Sequence, residues 1–198
     1  MTLTRAVALA RLTLAFARVE RVTFHEDGVR PETDADHTVM LGLIACDFAP
    51  EGLDRGLVAQ FALVHDLVEA YAGDVQTLTL DEAGRTAKGE REAVALERIA
   101  QECGEASWLV SMVKLYEEQK LPEARFVRVM DKVLPKLTHM LNACVAAKPL
   151  TDRDGFIAAH EGQMRALRAQ YPDDYLRAVF DLLAEAMHAS EYAWKVTT

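Results

Sequence analysis

The sequence predicts an all-α protein: one compact domain of about seven or eight helices across its 198 residues. Three observations predict this. Apolar residues recur at three- and four-residue spacing in segment after segment, the mark of a helix with one buried face. Strand signals are poor, because Val22–Phe24 is too short to count as a strand. No linker or internal repeat divides the chain, and its length is ordinary for a single domain with a real core.

The elements follow in order. Residues 2–19 read as an amphipathic helix with Leu3, Val7 and Leu14 facing inward. The same stretch carries Arg5, Arg11 and Arg18 and no acid before Glu20, a composition shared with transit peptides, but the helical reading is preferred. Thr33 or Asp34 caps a helix over 35–49, whose Val39, Met40, Leu43, Ile44 and Phe48 fall at helical spacing. A third helix covers 53–72. The polar segment Gly73–Gly84 is expected as a loop at a pocket rim, or a lid. Helices over 88–103 and 106–119 follow; the run Glu90–Arg98 alternates charge sign at helical spacing and reads as a solvated face. Trp108, Tyr116 and Phe126 are expected in the core. Pro122 suits the first position of a helix over 122–147, and Pro135 should kink or interrupt it. Helices over 152–169 and 173–190 complete the chain. The last of them, with Leu176, Val179, Phe180, Leu182, Leu183 and Met187, packs either within the domain or across a two-fold axis.

Within this scaffold four residues need an explanation. The segment Leu63–Asp74, LVHDLVEAYAGD, places His65, Asp66, Glu69 and Asp74 in a strongly apolar context. On a continuous helix, His65 and Asp66 both neighbour Glu69 one turn on. Buried ionisable groups are costly unless paired or bound to metal. His37 sits in the first turn of the helix over 35–49, and Asp131 lies among Phe126, Val127, Val129, Met130, Val133 and Leu134, where a solvated carboxylate is not expected. His37, His65, Asp66 and Asp131 together make a two-His, two-carboxylate site for one divalent transition metal. Such donors suit Mn, Fe, Co, Ni or Zn better than Ca, and Mg is less favoured.

The pattern His…His-Asp…Asp resembles the signature of the HD-domain metal-dependent phosphohydrolases. The nearer resemblance is to the 5′-deoxynucleotidases of the YfbR-like and HD-domain-containing protein 2-like branch. It rests on RPETDADH at Arg30–His37, HDLVEAYAGD at His65–Asp74, KGEREA at Lys88–Ala93 and YEE…PEARFVRVMDK at Tyr116–Lys132, and spans about residues 21–141. The resemblance implies an HD-domain helical fold over 1–198, with the helices of 152–190 packing on its core or forming an oligomer interface. It implies hydrolysis of nucleoside 5′-monophosphates, deoxy preferred, to nucleoside and phosphate. His37, His65, Asp66 and Asp131 are then the metal ligands. Glu69 orients or deprotonates the attacking water, Asp74 contacts the sugar or holds the water network, and Arg21 grips the phosphate. Arg21 has a plainer reading as a surface arginine at a helix end. Lys88 is a weaker phosphate contact, better read as solvated.

The chain departs from the family pattern after Arg21. Val22 stands where the bacterial deoxynucleotidases carry a Trp, and one extra residue separates Arg21 from His37, so strict selection of deoxyribose is not implied. Phe24 or His25 could take that place from a shifted loop. His139, eight residues beyond Asp131, would reach the metal from a straight helix; His160 and His188 are expected to be partly exposed.

Composition narrows the function classes. A net charge of −9 argues against a general nucleic-acid surface and requires a local positive site for any anionic substrate. Cys46, Cys103 and Cys144, without CxxC spacing, read as reduced core thiols. No apolar run approaches the ~18 residues of a membrane span, and the expected location is cytoplasmic. The expected partners are a nucleotide and a second copy of the chain. Three alternatives stand beside the monophosphatase: a triphosphohydrolase on the same scaffold, an HD hydrolase of another small substrate, and a helical metal-binding protein without turnover.

Overall fold

The computed structural model describes residues 2–75 and 80–195. Its central element is α7 (Pro122–Leu141), begun by Pro122 at the first helical turn. Phe126, Val127, Val129, Val133 and Leu134 of this helix are fully buried. Each such burial stabilises by roughly 1.5–3 kcal/mol. Around it pack α2 (Asp34–Phe48), α3 (Arg55–Val64), α6 (Trp108–Glu117) and α9 (Arg177–Lys195), with α9 the most extensive neighbour. The remaining helices are α1 (Leu3–Phe16), the single turn α4 (Glu69–Ala72), α5 (Glu82–Cys103) and α8 (Arg153–Gln170); a 3₁₀ turn, Asp174–Leu176, leads into α9. The all-α expectation holds. Leu176, Val179, Phe180, Leu183 and Met187 are buried inside the domain, which settles the inward reading for the C-terminal helix.

Several expectations are corrected. A short antiparallel hairpin, β1 (Glu20–Phe24) and β2 (Pro31–Thr33), joins α1 to α2 where no strand was expected. Its reversal is local chemistry. Asp27 Oδ1 accepts from the amides of Val29 and Arg30 at 2.8 and 2.9 Å, and Gly28 takes a positive φ of 67°. Thr33 then caps α2 through a reciprocal box with Asp36. In α1 the buried side chains are Leu12 and Phe16, packed near α4 and α5, whereas Leu3, Val7 and Leu14 face solvent. The helix expected over 53–72 is broken: α3 ends at Val64, and residues 65–68 wind through tightened turns into α4. α5 starts six residues early because Asp81 caps it, accepting from Gly84 N at 2.8 Å. Residues 76–79 of the expected loop lie outside the described residues. Pro135 does not interrupt α7, which stops instead at Leu141; Ala143 and Cys144, at φ of 53° and 59°, then turn the chain sharply. Trp108 is half exposed, its indole N–H donating to Gln60 Oε1 at 3.0 Å, while Tyr116 and Phe126 are core residues.

Candidate metal centre

Three elements bring the expected ligands together. His37 stands in the first turn of α2, His65 and Asp66 in the break between α3 and α4, and Asp131 midway along α7. One donor atom from each lies within 4.8 Å of the others. His37 Nε2 is 2.9 Å from Asp131 Oδ1, and His65 Nε2 is 2.9 Å from Asp66 Oδ2. Each imidazole has its Nδ1 engaged by a hydrogen bond. His65 Nδ1 donates to Ala62 O at 2.8 Å, which leaves the Nε2 lone pair for the site. His37 Nδ1 donates to Glu32 Oε1 at 3.2 Å, and Thr23 Oγ1 donates to Glu32 Oε2 at 2.5 Å. The unexpected hairpin therefore supplies the support that orients His37.

The residues fit a bound cation. His65 Nε2 is buried with no hydrogen-bond partner, and two imidazole nitrogens with two carboxylate oxygens form a donor set for a transition metal. Burial opposes charge on His37, but hydrogen bonds to Asp131 and Glu32 override it and push its pKa up to about 9. Burial likewise opposes ionisation of Asp66 and Asp131. It is outweighed by His65 and Arg21 around Asp66, and by Lys132 and His37 around Asp131, so both carboxyls are held well below their ordinary range.

Glu69 opens α4 and is buried. Its Oε1 accepts from Lys88 Nζ at 2.6 Å, while Oε2 has no hydrogen-bond partner. Burial, then the charge of Asp66, raises its pKa against the opposing pull of Lys88. Arg21 projects from β1; Nη1 donates to Asp34 Oδ1 and Asp66 Oδ2, each at 3.0 Å, and lies 3.9 Å from Glu69 Oε2. It is no surface arginine. Arg21, Asp66, Glu69, Asp74 and Asp131 all border one pocket, with Lys88 and Lys132 beside them. Val22 borders it too, whereas Phe24 and His25 do not; His25 turns to Asp36 at 3.2 Å.

Three readings fail here. Lys88 is not solvated but clamped between Glu69 and Glu92. His139 does not join the ligand cluster; it lies farther along α7 against Phe156 and His160, and His160 is buried, unlike the exposed His188. Glu32, Asp34 and Lys132 were not assigned site roles from sequence, although all three sit inside the motif stretches that carried the resemblance. The three cysteines are unpaired, as expected.

The helical scaffold clusters two imidazoles with two carboxylates, and sets those carboxylates and a buried glutamate on one pocket, a donor set that could hold a cation. The chain belongs to the HD-domain family: residues 16–168 match its family model. Among known proteins it is similar to the human 5′-deoxynucleotidase HDDC2, 30% identical over 125 residues, 62% of this chain and 60% of that protein. It is also similar to the fission-yeast 5′-deoxynucleotidase hdd1, 26% identical over 109 residues, 52% and 54% of the two chains. It thus spans about three-fifths or less of the length of these curated relatives. A crystal structure from Magnetospirillum magnetotacticum MS-1, described as a predicted metal-dependent phosphohydrolase, superposes with a TM-score of 0.68 at 25% identity over 95% of each chain. The PH0347 protein of Pyrococcus horikoshii OT3, 20% identical with a TM-score of 0.57 over 91% of this chain and 99% of its own, shares the fold.

Proposed function

We propose that this chain is a metal-dependent phosphomonoesterase that hydrolyses nucleoside 5′-monophosphates, deoxy preferred, to nucleoside and phosphate. The observation that carries the reading is that Arg21, Glu69, Asp66 and Asp131 border one pocket, with donor atoms of His37 and His65 within 4.8 Å of those of the two aspartates. The naming of the relatives as 5′-deoxynucleotidases supports it. His37, His65, Asp66 and Asp131 hold one divalent transition ion. That ion supplies Lewis acidity, acidifying water and neutralising charge that develops on phosphoryl oxygens. Arg21 presents a guanidinium, the geometry suited to phosphate, at the edge of the cluster. Asp34 and Asp66 fix it there before substrate arrives. Glu69 Oε2, which has no hydrogen-bond partner among the described residues, accepts a proton from the attacking water, and Lys88 on Oε1 orients the carboxylate. Asp74, just beyond Gly73 on the pocket wall, holds the sugar or its water.

The whole chain acts as one domain, cytoplasmic, as a homodimer. Among the described residues no helix is long and apolar enough to cross a membrane. The test is phosphate release from a panel of ribo- and deoxyribonucleoside mono- and triphosphates, with Mn, Co, Zn or Mg restored to chelator-stripped protein. Phosphate from the monophosphates is the expected result. Tripolyphosphate instead would assign the chain to triphosphate chemistry, and silence across the panel from metal-loaded protein would overturn the substrate class.

A further inference from the structure

The pocket does not end at the metal cluster. It runs on along α7, past Lys132 and Pro135, into an inner chamber closed by the turn after α7 and by α8. Four polar side chains face this chamber: Lys136, His139, His160 and Gln163, against an apolar wall that includes Ala147 and Leu150. None of them has a role in the chemistry above.

Lys136 is the unusual member. It is 3% exposed, and its Nζ donates to Gln163 Oε1 at 2.6 Å. No carboxylate among the described residues forms an ion pair with it, whereas Lys88 pairs with Glu69 and Glu92 and Lys132 with Asp131. Buried ammonium groups are normally paired, because desolvation is otherwise uncompensated. Burial, then the nearby charge of Lys132, pushes its pKa down to about 7. His139 and His160 are 7% and 2% exposed, and the Nδ1 of each is buried without a partner. A chamber with this many unspent polar groups is built to receive something.

The spacing says what. A helix rises 1.5 Å per residue, so Lys136 and His139 lie roughly 7 and 12 Å beyond Asp131 along α7. That is the reach of a base carried through a sugar on a phosphate held at the cluster. We propose that this inner chamber is the nucleobase subsite, and that Lys136 and Gln163 select bases presenting carbonyl acceptors over those presenting none. The inference rests on the nucleotidase reading. As an ammonium Lys136 keeps two N–H donors beyond the one spent on Gln163, and the Gln163 amide NH₂ adds more, so the chamber is rich in donors. The apolar wall takes the ring face. A second phosphate is the poorer occupant, since Lys132, the nearest other ammonium, is committed to Asp131 at 2.6 Å.

The experiment compares wild type with Lys136→Met and Gln163→Met on dUMP, dGMP, dAMP and deoxyribose 5-phosphate, and measures deoxyuridine binding by calorimetry. The expected result is that either variant lowers kcat/KM on dUMP and dGMP about tenfold relative to dAMP and to deoxyribose 5-phosphate, mainly through KM, and weakens deoxyuridine binding to match. An equal loss on all four substrates, or no change on any, overturns the subsite. If wild type hydrolyses none of the nucleotides, the nucleotidase reading fails. The subsite then stands if deoxyuridine binds wild type and Lys136→Met abolishes that binding. It falls if deoxyuridine does not bind.

Discussion

A single backbone contact decides which nitrogen His65 offers: Ala62 O accepts a hydrogen bond from Nδ1–H and leaves the Nε2 lone pair beside Asp66 and Asp131. Glu32 does the same for His37. Such supporting partners tune affinity by orienting the ligand and raising its basicity. Glu32→Gln should therefore keep the fold and lower metal affinity about 10–100-fold, measured by titrating a chelator against loaded protein; an unchanged affinity would remove Glu32 from that role. Glu69→Gln probes the other side of the cluster. It keeps size and hydrogen bonding yet cannot accept a proton, so turnover should fall by ~10²-fold or more with full metal stoichiometry retained. Turnover near wild type would exclude Glu69 as the base. The ligands themselves were legible because imidazoles and carboxylates stand out against apolar sequence. Lys88 was not, since its ammonium is ordinary on a charged helix and only the fold brings Glu69 to within 2.6 Å of it.

At the level of elements, the site sits where helices stop. A continuous helix over 53–72 would have stacked Glu69 one turn above His65. The break after Val64 instead swings α4 so that Glu69 meets Lys88 of α5 and closes on Arg21 of β1. Periodicity cannot reveal this break, because residues 63–72 contain neither Gly nor Pro and the apolar pattern continues through it. The hairpin was equally hidden, since its register of Glu20 with Thr33 and Phe24 with Pro31 depends on a turn set by Asp27 and Gly28 rather than on strand-like composition. α4 ends at Gly73, whose φ of 75° and ψ of 150° belong to a region essentially reserved for glycine. Among the described residues a Cβ there would meet no atom within 4 Å, so the cost of Gly73→Ala is conformational rather than steric. We expect a loss of about 1–3 kcal/mol in stability, read by chemical denaturation. Because Asp74 follows directly, kcat should drop more than metal affinity does. A variant as stable and active as wild type would show that the backbone here relaxes freely.

Across the whole molecule, α7 joins two polar clusters: His37, His65, Asp66 and Asp131, and the Lys136–His139–His160 chamber. The first was written in motif; the second was invisible, because His160 comes from α8 and reads in isolation as a surface residue. Burial, then the charges of Lys136 and His139, pushes the His160 pKa down to about 2, against 6.5 in an unfolded chain. Between pH 6.5 and pH 5 the unfolded state therefore takes up a proton that the folded state refuses. Stability from this group is fully present above pH 6.5 and is lost as pH falls, by roughly 2 kcal/mol at pH 5. Asp34, raised to about 6 by burial, pulls the other way over part of this range, as does Glu69. The absolute pH profile thus mixes opposing groups, but a comparison with His160→Leu cancels them. The leucine keeps apolar contact with Phe156, whose ring centroid lies 4.0 Å from that of His160, and does not titrate. Measured by denaturation at pH 7.5 and pH 5, the stability difference between the two proteins should move in favour of His160→Leu by roughly 2 kcal/mol on acidification. A difference that stays constant would mean that His160 is protonated in the folded state.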